Sequence, residues 1–283
     1  MKMSKRGISV FLLVLVLTIF VPIIGVKNVK ASYATQIGFT VDDSEYQFLK
    51  WMDIERQDVY VKDGDNNYRI GAILTKIGVY KMTDGNDIPQ GKDAYAYGYK
   101  TIVQPMDYQY TKKVLWWTET VKRYGYSEEL NLKIDLWQWT NYPYASRSEL
   151  IYSSPVTLPK DYSYSVGFNG GIKSDGSTSL GFSTGAIITS SRLEIRNKSL
   201  YTDGIFEVNY NYVPVTWRWE DDSYLFDPSA QYGMFIINVE EGIPPYLWVH
   251  INSKFGVATA DGGWNADCIL GLVGSGSSSV FKY

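Results

Sequence analysis

Leu130-Asn131-Leu132-Lys133-Ile134-Asp135-Leu136-Trp137-Gln138-Trp139 alternates strictly, with aliphatic residues at 130, 132, 134 and 136 and polar or aromatic ones between them. Successive side chains of a strand point to opposite faces, so this run predicts a strand packed on a core through its four aliphatic residues. Upstream, Val114 to Lys122 is another strand-like run, and Tyr124-Gly125-Tyr126-Ser127 separates the two. Pairing them symmetrically about Tyr126 predicts a hairpin. Its inner face would carry Trp116, Thr118 and Thr120 with the aliphatic residues. Its outer face would carry Trp117 and Glu119 beside Lys133, Asp135, Trp137 and Trp139.

The same period continues outward. Strands are expected near 34–41, 57–62, 68–82, 94–104, 149–157, 162–172, 178–189, 191–197, 205–219, 233–239, 246–252 and 267–273. Turns are expected at Asp63-Gly64-Asp65, Asp84-Gly85-Asn86, Asp175-Gly176 and Asp261-Gly262-Gly263. Ser44 to Arg56 is the one short candidate for an amphipathic helix. No linker or repeat divides the chain. The expectation is an all-β fold: an antiparallel β-sandwich of two packed sheets, in a single domain.

The start of the chain reads differently. Lys2, Lys5 and Arg6 precede an uncharged apolar run from Gly7 to Val26, and Val29-Lys30-Ala31 follows. This is the order of a secretory signal peptide, which predicts a signal over 1–31 and a secreted or cell-surface domain over 32–283. An uncleaved anchor is the alternative, since the run approaches the ~20 residues that span a bilayer; Pro22 and Gly25 favour cleavage. The remaining chain holds 22 basic and 30 acidic residues, a net charge of −8, where the full chain has −3. That balance speaks against nucleic acid as a partner.

One His and one Cys in 283 residues exclude sites that need two imidazoles, and exclude an internal disulfide. Cys268 sits in an apolar run and reads as a buried thiol. His250 shares a strand face with Tyr246 and Trp248, and no Gly-x-Ser-x-Gly supports a serine nucleophile. No cofactor or metal is expected. Asp63-Gly64-Asp65-Asn66-Asn67 begins like a calcium loop, but Tyr68 and Leu74 stand where such a loop needs Gly and Glu. Asn197-Lys198-Ser199 is an N-glycosylation sequon.

Rings beside carboxylates suit a sugar, the ring stacking on C–H groups while the acid accepts from hydroxyls. The first functional expectation is therefore a non-enzymatic β protein that binds glycan or cell envelope through Trp117, Glu119, Asp135, Trp137 and Trp139. Val215, Trp217 and Trp219 form a second aromatic row, and Tyr95, Tyr97 and Tyr99 a third. Packing in the core explains such rows equally well. A carbohydrate-active enzyme using Glu119 and Asp135 as paired carboxylates is a further reading. A self-associating surface-layer or filament subunit, joined through strand edges, is another.

From Tyr162 to Thr189 the alternation takes a special form. Tyr162, Tyr164, Val166 and Phe168 alternate with Ser163, Ser165, Gly167 and Asn169. Leu180, Phe182, Ala186 and Ile188 follow Asp175-Gly176, interleaved mostly with small or polar residues. One apolar and one small polar side is how a membrane-inserting hairpin must be built. An ordinary half-buried hairpin has the same alternation. The segment, about 30 of the 283 residues, resembles the stem of the leukocidin and haemolysin group of β-pore-forming toxins. The resemblance implies membrane contact and self-association. The alternating C-terminus Val280-Phe281-Lys282-Tyr283 raises an outer-membrane barrel as a last alternative.

Overall fold

The computed structural model describes residues 40–41, 46–83, 88–141, 144–157, 162–168, 171–172, 178–179, 182–190, 193–212, 226–260 and 268–282. The chain parts into two units, Met1–Lys30 and Ala31–Tyr283; the first, with the signal-peptide reading, lies outside the described residues.

The second unit is built almost wholly of strands, in two main antiparallel sheets. The first sheet orders β2 (Tyr46–Asp63), β3 (Asn66–Met82), β4 (Lys92–Pro105), β15 (Ser229–Glu240) and β8 (Glu149–Ser154). The second orders β13 (Leu193–Asn197), β14 (Ile205–Tyr212), β6 (Trp117–Asn141), β16 (Pro245–Ala260) and β17 (Cys268–Lys282). β5 (Tyr108–Val114) and β7 (Tyr144–Arg147) pair with the two ends of β6. β1 (Thr40–Val41), β12 (Phe182–Ser190) and β9 (Tyr162–Phe168) make a small third sheet. β10 (Gly171–Ile172) pairs with β11 (Thr178–Ser179).

The two main sheets bury their facing sides against each other, as the sandwich pattern predicts. Leu130, Leu132, Ile134 and Leu136 are fully buried. So are Phe206, Val208 and Tyr210 of β14, facing Tyr97, Tyr99 and Phe235 of the other sheet. Tyr97 stacks on Phe235 at 4.7 Å, Phe235 on Phe206 at 4.7 Å, and Tyr99 meets Phe206 edge-on at 5.6 Å. Each such ring contributes roughly 1.5–3 kcal/mol by leaving water. The Tyr95, Tyr97, Tyr99 row is thereby core rather than surface. Gly71 lets the sheets approach: a Cβ there would stand 2.5 Å from the ring of Phe255. Where β17 meets β2, a Cβ on Gly274 would stand 2.6 Å from the carbonyl oxygen of Tyr60.

Two expectations need correction, the helix over Ser44 to Arg56 and the central hairpin, while the turn expected at Asp63-Gly64-Asp65 is present. Ser44 to Arg56 does not form a helix: residues from Tyr46 onward lie in β2, paired with β3 through several bulges. Within that stretch the buried residues are Tyr46, Met52 and Ile54, all at even spacing, as a strand requires. The Asp63 segment is a tight turn of the β2–β3 hairpin, with Gly64 at φ +65°, a conformation that suits glycine. Its Asp63 carboxylate accepts a hydrogen bond from the Tyr108 hydroxyl at 2.8 Å and faces Arg123 at 3.5 Å. Finally, Val114–Lys122 and Leu130–Trp139 do not form a hairpin. β6 runs unbroken from Trp117 to Asn141, paired first with β5 and then with β16 and β14.

Candidate functional site

That continuous strand redistributes the sequence-derived ligand face. Trp117 and Asp135 lie 18 residues apart on one strand, up to ~60 Å at ~3.3 Å per residue. Glu119 and Asp135 are separated by 16 residues of the same strand. They cannot flank one glycosidic bond, which needs carboxyls within about 10 Å. The carboxylate-pair enzyme reading is withdrawn on this geometry.

Asp135 and Trp137 do share the outward face of the seven-stranded sheet, with residues of β16 and β7. The register sets Trp137 opposite Tyr246 and Arg147, Asp135 opposite Trp248, and Lys133 opposite His250. The Asp135 carboxylate accepts from Arg147 Nη1 at 3.4 Å, faces His250 Nε2 at 3.3 Å and lies 3.8 Å from Lys133 Nζ. The Arg147 guanidinium covers the Trp137 ring at 4.5 Å. That ring face is therefore occupied, and the Asp135 carboxylate is already engaged by three basic side chains. Trp248 lies 5.0 Å from the His250 ring and is 43% exposed. The side chain of Trp139 and the row Val215, Trp217, Trp219 lie outside the described residues.

The other half of the predicted face sits on a ribbon. β5 and the start of β6 pair from Tyr108↔Arg123 to Val114↔Trp117, and nearly every side chain from Gln109 to Thr120 is partly or fully exposed. Its tip is Leu115-Trp116, 74% and 83% exposed, with Trp117 at 47%. The sequence assigned Trp116, Thr118 and Thr120 to the core; all three face water. Trp116 and Trp117 contact edge-on at 5.3 Å. Leu115 adopts φ +53°, a region where a bulky side chain is strained and Gly or Asn is usual. Lys112 and Lys113 flank the tip. An apolar turn held at a cost in strain, beside lysines, suits the water–hydrocarbon boundary of an anionic bilayer.

The third element is the hairpin that the alternation singled out. β9 and β12 pair antiparallel with Tyr164 opposite Ile188 and Phe168 opposite Phe182; Ser163 stands opposite Thr189 and Gly167 opposite Ser183. A shift of two residues between Ser183 and Ile187 leaves the faces unmixed, because the period is two. Ile187, opposite Ser165, is the one aliphatic residue at a polar position. β10 and β11 continue the pairing toward Asp175-Gly176 through Ile172↔Thr178 and Gly171↔Ser179. Among the described residues this hairpin has no ladder with either main sheet. Only the two-residue β1 pairs with its outer edge, through Thr40↔Ser183 and Val41↔Phe182. Leu180 lies outside the described residues, as do the side chains of Tyr162, Val166 and their neighbours.

No protein-family model and no curated protein matches the chain. Solved structures do. Clostridium perfringens delta-toxin is similar at a TM-score of 0.46 and 8% identity, over 81% of this chain and 95% of that one. The Clostridium perfringens NetB toxin, in its membrane-inserted form, is similar at 0.45 and 7%, over 82% and 95%.

Proposed function

We propose that this is an exported protein that docks on a lipid bilayer and perforates it with the hairpin from Tyr162 to Thr189. The observation that carries the reading is the register of that hairpin. Phe168 stands opposite Phe182, Tyr164 opposite Ile188, Ser163 opposite Thr189 and Gly167 opposite Ser183, with mixed pairs at Ser165↔Ile187 and Tyr162↔Ser190, on a ribbon whose ladders are independent of the sandwich. Such a ribbon can leave without breaking the two main sheets. Its arms, Tyr162–Ile172 and Thr178–Ile188, are eleven residues each, matching the ~9–11 that a tilted strand needs to cross hydrocarbon. A lone hairpin exposes two unpaired edges in lipid, so insertion demands several copies closed into a barrel. The Leu115-Trp116-Trp117 tip supplies the first contact.

The test is dye release from vesicles containing anionic lipid. In a Cys268→Ala background, Thr40→Cys and Ser183→Cys stand opposite each other across β1 and β12, at a spacing a disulfide accepts. The reduced protein should release dye and the oxidised one should not. Release by the oxidised protein, or none by the native chain, overturns the reading.

A further inference from the structure

We infer that the outward face of the seven-stranded sheet carries a binding trough for a neutral, hydroxyl-rich ligand, an oligosaccharide. The register aligns Asn209, Asn131, Asn252 and Ser277 directly opposite one another across β14, β6, β16 and β17. Three side-chain amides and a hydroxyl thus pave one row, ~14 Å long at ~4.8 Å between strands. Around it lies a cavity of about 440 Å³, walled by Glu129, Glu207, Lys198 and Lys254.

The polar groups in this trough are arranged rather than merely solvated. Asn131 Nδ2 donates to Glu207 Oε1 at 3.0 Å, and Asn209 Nδ2 donates to Glu129 Oε1 at 2.9 Å. Lys254 Nζ donates to the other oxygen of Glu129 at 2.7 Å. These bonds fix the amides in orientation and leave further lone pairs and N–H groups for a ligand. Asn209 is 94% buried (6% exposed). It lines the trough, and its Oδ1 has no donor. A buried acceptor left unpaired is costly, which marks this end of the row as held in place by its neighbours. Asn252, Ser275 and Ser277 are exposed along the same floor.

The chemistry selects the ligand. Two acids, Glu129 and Glu207, and two lysines, Lys198 and Lys254, line the trough, so their formal charges cancel and an ion of either sign gains little. Among the described residues no aromatic or aliphatic side chain lines it, so an apolar ligand gains little. Fixed amides, carboxylates and hydroxyls in one plane are donors and acceptors in the density that a polyol presents. Four residues along β16 from Asn252, ~13 Å away at strand spacing, the exposed ring of Trp248 stands on the same face. A pyranose stacked there and continuing over the asparagine row would engage both. This site shares no residue with the ribbon tip or the hairpin, and it does not rest on the membrane reading.

The experiment measures the native protein on an immobilised panel of neutral oligosaccharides, with sialylated ones as the charged control and free oligosaccharide as competitor. Vesicles with and without glycolipid are run in parallel. At least one neutral glycan should be retained and competed off; retention of sialylated glycans alone overturns the inference. Asn252→Ala and Trp248→Ala, both at exposed positions, should each weaken retention about tenfold with an unchanged thermal midpoint. Competition by the free sugar assigns recognition to the glycan itself; retention only on glycolipid vesicles assigns it to the lipid-borne form. Absence of any retained glycan, or retention unaltered in both variants, overturns the inference. Dye release from glycan-free vesicles is scored separately, so failure here is distinguishable from failure of the membrane reading.

Discussion

The hydroxyls of Tyr99 and Tyr210 meet at 2.7 Å in the middle of the sandwich, joining β4 of one sheet to β14 of the other. Tyr210 donates its proton to the Tyr232 carbonyl at 3.0 Å, so Tyr99 must be the donor in the shared bond. Both side chains are fully buried, and burial pushes the Tyr99 phenol well above its ordinary range. Tyr210→Phe leaves two groups to satisfy, the Tyr99 hydroxyl and the Tyr232 carbonyl. Tyr99→Phe leaves the Tyr210–Tyr232 bond intact. The expected losses are about 2–3 kcal/mol for Tyr210→Phe and about 1 kcal/mol for Tyr99→Phe, measured by urea unfolding.

Gly125 sits where two backbones close on β6. A Cβ there would stand 2.2 Å from the Met106 carbonyl oxygen and 2.7 Å from that of Ile70. Backbone cannot swing aside as a long side chain does. Gly125→Ala should destabilise by about 3 kcal/mol, read as a drop in thermal midpoint. Gly91→Ala, where nothing lies within 4 Å and only the positive φ is strained, should cost less.

Leu115 and Trp116 separate stability from membrane contact. Leu115→Gly removes a left-handed backbone strain and should raise stability by about 0.5–1 kcal/mol, after allowing for glycine's unfolded-state entropy. Trp116→Ala should change stability by less than about 0.5 kcal/mol, since the side chain is 83% exposed. Both should weaken sedimentation with anionic vesicles. Unaltered sedimentation in both variants removes the tip from the docking role.

The Glu129–Lys254 pair gives stability a pH dependence. The hydrogen bond from Lys254 is the first cause holding the Glu129 carboxyl below its ordinary 4.5; burial opposes it, and Asn209 adds to it. A group whose folded value is depressed contributes fully above its unfolded value, and the contribution is lost as pH falls through the folded one. The urea midpoint should therefore fall more steeply below about pH 4.5 in the native protein than in Glu129→Gln.

Asn197 is a structural residue despite its sequon. Its Nδ2 donates to Ser153 Oγ at 2.9 Å and to the Pro155 carbonyl at 2.8 Å, while its Oδ1 accepts from the Ser199 amide at 2.9 Å. The nitrogen that a glycan would occupy is already holding β13 to the end of β8. Asn197→Ala should cost about 2 kcal/mol. Expression in a glycosylating host should leave the folded protein's mass unmodified at this position.

The sequence by itself determined the all-β class and the inward side of the central strand. Leu130, Leu132, Ile134 and Leu136 are buried because a period of two is a local property of the chain, the same whatever lies alongside. Pairing was decided elsewhere. Tyr124-Gly125-Tyr126-Ser127 looks like a turn, yet β6 runs straight through it. Gly125 is there to admit the backbones at Ile70 and Met106, and β16 offers partners along the strand from Gln138 to Tyr124. Alternation reads identically whether a strand folds back or continues, so the faces were legible and the neighbours were not. The asparagine row assembled from 131, 209 and 252 exists only because three distant segments pair in one register. That choice is made by burial summed over whole sheets, which no local pattern records.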